Sequence, residues 1–224
     1  MTIAANLFTE DFFRIARTRV RPGGVFSQWI QNYYLPPEDL RSIIAAFRGS
    51  FPHVLLFETF EGVDLLLMGS DRPLSLDIDE LGRRMSELRV SMDLGRLEIR
   101  KPSDILSLYR LGSAEVDRLV EGAPRNTDDN ARVEFSAPKT LGLYTLKTNL
   151  RLIRSFLGDP LGILDPLPGD VEAQDQIRIE IAWAWVYRRE YDLAARIAAE
   201  ITSESLRPQA EALLARLEQE KAKL

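Results

Sequence analysis

Gln28, Gln31 and Tyr33 lie close together in one segment, and Asp128 and Asp129 stand side by side in another. These are side chains whose types can hold a polar or cationic group. A glutamine amide can donate and accept at once. A tyrosine ring can receive a cation on its face. Neighbouring carboxylates can hold an ammonium group and shift each other's titration. Each also has a plainer reading. The glutamines could satisfy backbone groups or face solvent, Tyr33 and Tyr34 could pack under the helix that follows, and Asn126-Thr127-Asp128-Asp129 has the composition of a capped turn. Trp29 alternates with Gln28 and is expected on the opposite face of its strand, buried against a helix.

The composition narrows the remaining chemistry. The chain has 224 residues, no cysteine and a single histidine, His53. Thiolate zinc sites, disulfides and histidine-rich metal sites are therefore excluded. His53 follows a helix-ending Phe51-Pro52 and reads as a hydrogen-bonded linker. A net charge of −5 and a pI near 5.2 give no global field for nucleic acid. Arg14, Arg17, Arg19 and Arg21 read as a solvated helix face. The opening residues carry no basic segment ahead of an apolar run, and no apolar stretch approaches the roughly 18 residues of a membrane span. These features predict a cytoplasmic protein with neither a signal peptide nor a membrane span.

These residues must be positioned by regular elements. Thr9 to Val20 has helical spacing and stops before Pro22, and Pro22-Gly23-Gly24 turns the chain into a strand over Val25 to Ile30. Pro36 and Pro37 suit a helix start, and Leu40, Ile43, Ile44 and Phe47 form its inward stripe. His53 to Thr59 and Val63 to Gly69 predict a hairpin, and the apolar run Leu65 to Met68 predicts a central strand covered on both faces. Short helices are expected around Ile78 to Leu88, Ser103 to Leu111 and Ser113 to Val120, capped at Ser103 and Ser113. A short strand is expected through Val133 and Phe135, ending at Pro138, and the chain after Thr140 reads as helical, broken once by Gly158-Asp159-Pro160 and the turn-rich segment that follows. Trp183, Ala184, Tyr187, Tyr191, Ala194, Ala195 and Ala198 suit one tetratricopeptide-like hairpin or a two-helix appendage. The division expected is an α/β domain over 1–139 and a helical extension over 140–224.

Several motifs occur in a fixed order: Asn6-Leu7-Phe8-Thr9 with Phe12 and Phe13, Arg21-Pro22-Gly23-Gly24-Val25-Phe26 with Gln28-Trp29, and Phe51-Pro52-His53-Val54. Asp64 to Ser70, Asn126-Thr127-Asp128-Asp129, Val133-Glu134-Phe135 and Ala137-Pro138 complete the set. In this order the chain resembles the C-terminal half of the spermidine synthase-like (polyamine aminopropyltransferase) family. The resemblance implies the C-terminal half of a class I methyltransferase-like, Rossmann-like mixed sheet. It also implies aminopropyl transfer from decarboxylated S-adenosylmethionine to a small amine acceptor. Ligands in such sheets sit at the carboxyl ends of the strands.

Under that resemblance Gln28, Gln31, Tyr33, Asp128 and Asp129 become substrate-pocket candidates. The family's cofactor-holding turn, ribose-binding acid and catalytic aspartate loop have no counterpart ahead of Asn6. This chain is accordingly expected to bind no cofactor alone. It is expected to need an N-terminal half-domain chain, or self-association through the exposed sheet edge. Two other readings stand beside this one: a non-catalytic interaction protein using the C-terminal hairpin, and a methyltransferase-like domain acting with S-adenosylmethionine on another substrate.

Overall fold

A computed structural model describes residues 5–136, 139 and 142–221. Ala137 and Pro138, part of the resemblance motif, lie outside the described residues, as does Thr140. The chain divides into two compact units, Met1–Leu74 with Tyr109–Asp159, and Ser75–Leu108 with Pro160–Leu224. In the first unit, Tyr109–Leu111 adds a strand to the sheet.

The first unit is built on four strands, β1 (Phe26–Gln31), β2 (His53–Glu58), β3 (Asp64–Ser70) and β4 (Tyr109–Leu111), in the order β1-β3-β2-β4. Every neighbouring pair is antiparallel, so the sheet is antiparallel where a mixed one was expected. β1 and β2 both oppose β3 and therefore run the same way. Helix α2 (Pro37–Ser50) connects them. The β2–β3 hairpin closes through Glu61 and Gly62, both in the left-handed region at φ 61° and 68°.

Helix α1 (Glu10–Arg19) is capped by Thr9, whose hydroxyl accepts from the Phe12 amide at 3.2 Å, and it carries two acidic residues in its first turn. Leu40, Ile43, Ile44 and Phe47 of α2 are at most 1% exposed, so the inward stripe is the one expected. They meet Val54, Leu56, Leu65 and Leu67 from one face of the sheet, together with Phe13 of α1. Phe26 stacks on Phe51 with ring centroids 5.6 Å apart, and Phe47 lies 4.8 Å from Phe51. Gly69 of β3 lets this aromatic cluster form: a Cβ there would stand 2.5 Å from the Phe51 ring and 2.8 Å from that of Phe47.

The other face is less covered. β3 alternates fully buried Leu65 and Leu67 with half-buried Leu66 and Met68, so it is central but covered completely on one face only. Trp29 is 48% exposed, where burial was expected. Its register partner is Leu66.

Four local corrections share a cause: the elements are short and tertiary partners decide them. Tyr109–Leu111, expected to continue a helix, is instead a fully buried strand paired with Leu56 and Phe57. Val133–Phe135 lies within helix α7 (Arg132–Ser136) rather than a strand. Ser113 is the first residue of α6 (Ser113–Leu119), and its hydroxyl receives the Val54 amide at 2.9 Å, which ties the helix to β2. Ser103 sits inside α5 (Pro102–Leu106), where it donates to Glu180 at 2.8 Å. Helix α8 (Leu146–Arg154) completes the first unit.

The second unit holds α3 (Ile78–Met85), α4 (Leu88–Arg96), α5, and a three-helix C-terminal set of α9 (Val171–Tyr187), α10 (Tyr191–Ala198) and α11 (Arg207–Lys221). Ala194 and Ala198 on α10 are buried, which permits close packing on α9. The aromatic residue that anchors α9 is Trp185, whose indole N–H donates to the Ser107 carbonyl at 2.7 Å, while Trp183 and Tyr187 are 42% and 70% exposed. Buried Asp175 accepts from the Thr202 and Ser203 amides at 2.9 and 2.8 Å and pairs with Arg178. Burial pushes its pKa up, but these bonds outweigh that and hold it below the usual carboxylate range. Among the described residues, no helix is long and apolar enough to cross a membrane.

Candidate functional site at the end of β1

β1 ends at Gln31, and the chain turns through Asn32, Tyr33, Tyr34 and Leu35 into α2. Tyr34 takes the left-handed conformation at φ 55°. The turn is held by amides rather than by packing alone. Asn32 is fully buried; its backbone N–H donates to the Val63 carbonyl at 2.8 Å and its side chain to the Gly62 carbonyl at 2.9 Å. Asn149, fully buried on α8, donates to the carbonyls of Asn32 and Leu35 at 3.1 and 2.9 Å. The Leu35 amide in turn donates to the Thr145 hydroxyl at 3.1 Å. The segment bearing the two tyrosines is thus pinned at both ends.

On this frame Gln31 donates its side-chain amide to the Tyr33 carbonyl at 3.1 Å. The Tyr33 ring meets Tyr34 edge-on with centroids 5.3 Å apart, and Tyr34 meets Tyr144 at 6.4 Å. Gln28 lies earlier on the strand and donates to the Trp29 carbonyl at 2.9 Å. Strand alternation puts the Gln28 side chain with Phe26 and Ile30, and that of Gln31 with Ser27 and Trp29, so the two glutamines belong to opposite faces. Gln31 and Tyr33 share the end of β1.

Asp128 and Asp129 are exposed in a turn held by other partners. The Asp128 amide donates to Asp11 of α1 at 3.0 Å, Asn130 accepts from the Thr127 and Arg132 amides, and Asn126 links Phe8 to Val133. This is a capped turn. Asp128 also lines a shallow depression with Asn6, Thr9, Thr127, Ala131 and Glu134.

Two buried carboxylates of the first unit were not singled out from the sequence as site residues. Glu58, the last residue of β2, is 1% exposed. It accepts from Arg110 of β4 at 2.8 Å and from Arg154 of α8. Burial raises its pKa, but the two guanidiniums outweigh that and hold it below the usual range. Asp39, in the first turn of α2, is 2% exposed, accepts from the Ser136 hydroxyl and lies 3.8 Å from Arg132. Burial dominates there and raises its pKa. The available signal was a charge inside an apolar run, His53-Val54-Leu55-Leu56-Phe57-Glu58, since a carboxylate in such a place is rarely buried unpaired. Among the described residues no three His, Asp or Glu side chains gather as a metal site.

The structure therefore defines an α/β unit whose β1 terminus presents an amide- and tyrosine-lined turn. No protein-family model matches the chain, and no solved structure matches it. Over 91 residues it is 32% identical to a polyamine aminopropyltransferase of Nitrosomonas europaea, a stretch that covers 38% of this chain and 28% of that protein. The likeness is a distant, partial relation to spermidine synthase-like proteins, and the chain spans little more than a quarter of the relative's length.

Proposed function

We propose that the first unit is the C-terminal part of a class I methyltransferase-like domain of spermidine synthase type. In this reading it forms one wall of a site for aminopropyl transfer from decarboxylated S-adenosylmethionine to a small amine. The observation that carries the reading is the arrangement of β1, α2, β2 and β3. Two strands of the same direction flank an antiparallel third, the outer edge of β1 bears no strand among the described residues, and the partial identity is to an aminopropyltransferase.

Aminopropyl transfer breaks a carbon–sulfur bond of a sulfonium donor as an amine nitrogen forms the new carbon–nitrogen bond. The amine must arrive unprotonated, or lose its proton, and must be held in line. The turn at the end of β1 can contribute positioning: Gln31 through its amide oxygen, and Tyr33 through its hydroxyl and ring face. In this reading Gln28 stands further back on the strand, and Asp128 and Asp129, held in their own turn against Asp11, are left out of the site. The donor-binding strands and the proton acceptor come from a segment that pairs beside β1.

The test is to titrate decarboxylated S-adenosylmethionine, and separately S-adenosylmethionine, into this chain and into its mixture with the part of the Nitrosomonas protein that precedes the matched region. Saturable binding of the decarboxylated compound by the mixture supports the reading. Binding of S-adenosylmethionine in its place would favour methyl transfer. A folded chain that neither associates with that segment nor gains affinity would refute it. The second reading, a non-catalytic interaction protein, draws on exposed Trp183 and Tyr187 of α9, with Arg216 of α11 over the Trp183 ring at 5.6 Å.

A further inference from the structure

The direction of every backbone group on β1 follows from its register. The Asn32 N–H points at Val63, and Thr59 N–H points at Asp64, so the pair Gln31–Asp64 between them is not hydrogen-bonded. Antiparallel pairs alternate. Phe26, Gln28 and Ile30 therefore bond to β3, and the N–H and C=O groups of Ser27, Trp29 and Gln31 face outward.

This outward set is symmetric about Trp29. A two-fold axis beside that residue would oppose Trp29 to Trp29 of a second copy, and Ser27 to Gln31, with each opposed pair exchanging two hydrogen bonds. The strand Phe-Ser-Gln-Trp-Ile-Gln carries neither the charge nor the proline that often keeps sheet edges apart. Trp29 is 48% exposed, and in this register its indole would lie against its own symmetry mate, an aromatic cross-strand pair. One group competes: the Gln28 side chain already donates to the outward Trp29 carbonyl at 2.9 Å.

We propose that two copies of this chain pair antiparallel through β1, centred on Trp29, and that Gln28 acts as a displaceable cap that weakens this pairing. The dimer occupies the same edge that a completing segment would need, so the two states exclude each other. The proposal does not rest on aminopropyl transfer; its tests read mass and cross-linking alone, so either idea can fail without the other.

Sedimentation equilibrium of the full chain is expected to show a monomer–dimer equilibrium. Trp29→Lys sets like charges directly opposite each other and should abolish the dimer, while Gln28→Ala removes the cap and should tighten it roughly 2- to 10-fold, the worth of one hydrogen bond. The chain has no cysteine, so Trp29→Cys should give a disulfide-linked dimer on mild oxidation, because facing Cα atoms of such a pair are about 5.5 Å apart. Ser27→Cys should not, since its symmetry mate is displaced along the strand. A wild-type chain that stays monomeric at ~100 μM, above the roughly micromolar range of weak specific pairs, or a dimer unaffected by Trp29→Lys, would overturn the proposal. Equal cross-linking at both positions would overturn the register.

Discussion

Asn149 of α8 donates its side-chain amide to the backbone carbonyls of both Asn32 and Leu35, at 3.1 and 2.9 Å, bridging the two ends of the turn that carries Tyr33 and Tyr34. Both carbonyls belong to buried residues. Asn149→Ala should therefore destabilise the first unit by about 1–3 kcal/mol, the cost of orphaning buried acceptors. Urea denaturation measures the loss, and faster hydrogen exchange at the Leu35 amide would localise it to the turn.

Glu58 gives an acid limb to stability. Its folded pKa lies below that of the unfolded chain, so its contribution is fully present above the ordinary 4.5 and is lost as pH falls through the folded value. Glu58→Gln leaves two guanidiniums facing a neutral amide. It should cost about 3–5 kcal/mol near neutral pH. The gap between wild type and variant should narrow below pH 4.5, which melting curves across pH 3–7 would reveal as converging midpoints.

Asp39 has the opposite sign. Its folded pKa is raised, so its favourable contribution is present below the ordinary 3.8 and is lost as pH rises through the higher folded value. Asp39→Asn keeps an oxygen for the Ser136 hydroxyl and removes the buried charge. Relative to wild type, the variant should gain stability as pH rises from 3.8 through that folded value and then hold the gain. A constant difference across the range would contradict the assignment.

Gly69 is fixed by the aromatic cluster rather than by backbone conformation. A methyl group there would meet Phe51 and Phe47 at distances that no relaxed contact reaches. Gly69→Ala should lower the melting temperature in line with an overpacking cost of about 1–3 kcal/mol, and Phe51→Leu in the same chain should recover part of the loss by making room.

The elements that define the sheet were legible because their signals are local and long enough to average. The α2 stripe, the Pro-Gly-Gly entry to β1 and the β2–β3 hairpin each rest on several residues with one period. Tyr109–Leu111 could not be read the same way: three residues carry no alternation, and only their pairing with Leu56 and Phe57 makes them a strand. Trp29 was misplaced because alternation tells which face a residue occupies, not whether anything covers that face. For the candidate site, Gln31 and Tyr33 were chosen by type and position, and the structure brings them together at the end of β1. The clamp of Asn32 and Asn149 and the Glu58–Arg110–Arg154 cluster join residues remote in sequence, and nothing local marks them.

We propose that the turn at the end of β1 serves aminopropyl transfer once strands are supplied beside it. The most direct test is release of the thioether product from decarboxylated S-adenosylmethionine, measured with an amine acceptor, for the chain mixed with the preceding segment of the Nitrosomonas protein. Product formation is expected from the mixture and from neither component alone, with a raised acceptor KM for Gln31→Ala and Tyr33→Phe. A mixture that assembles and binds the donor, yet transfers nothing or is indifferent to both substitutions, would contradict it.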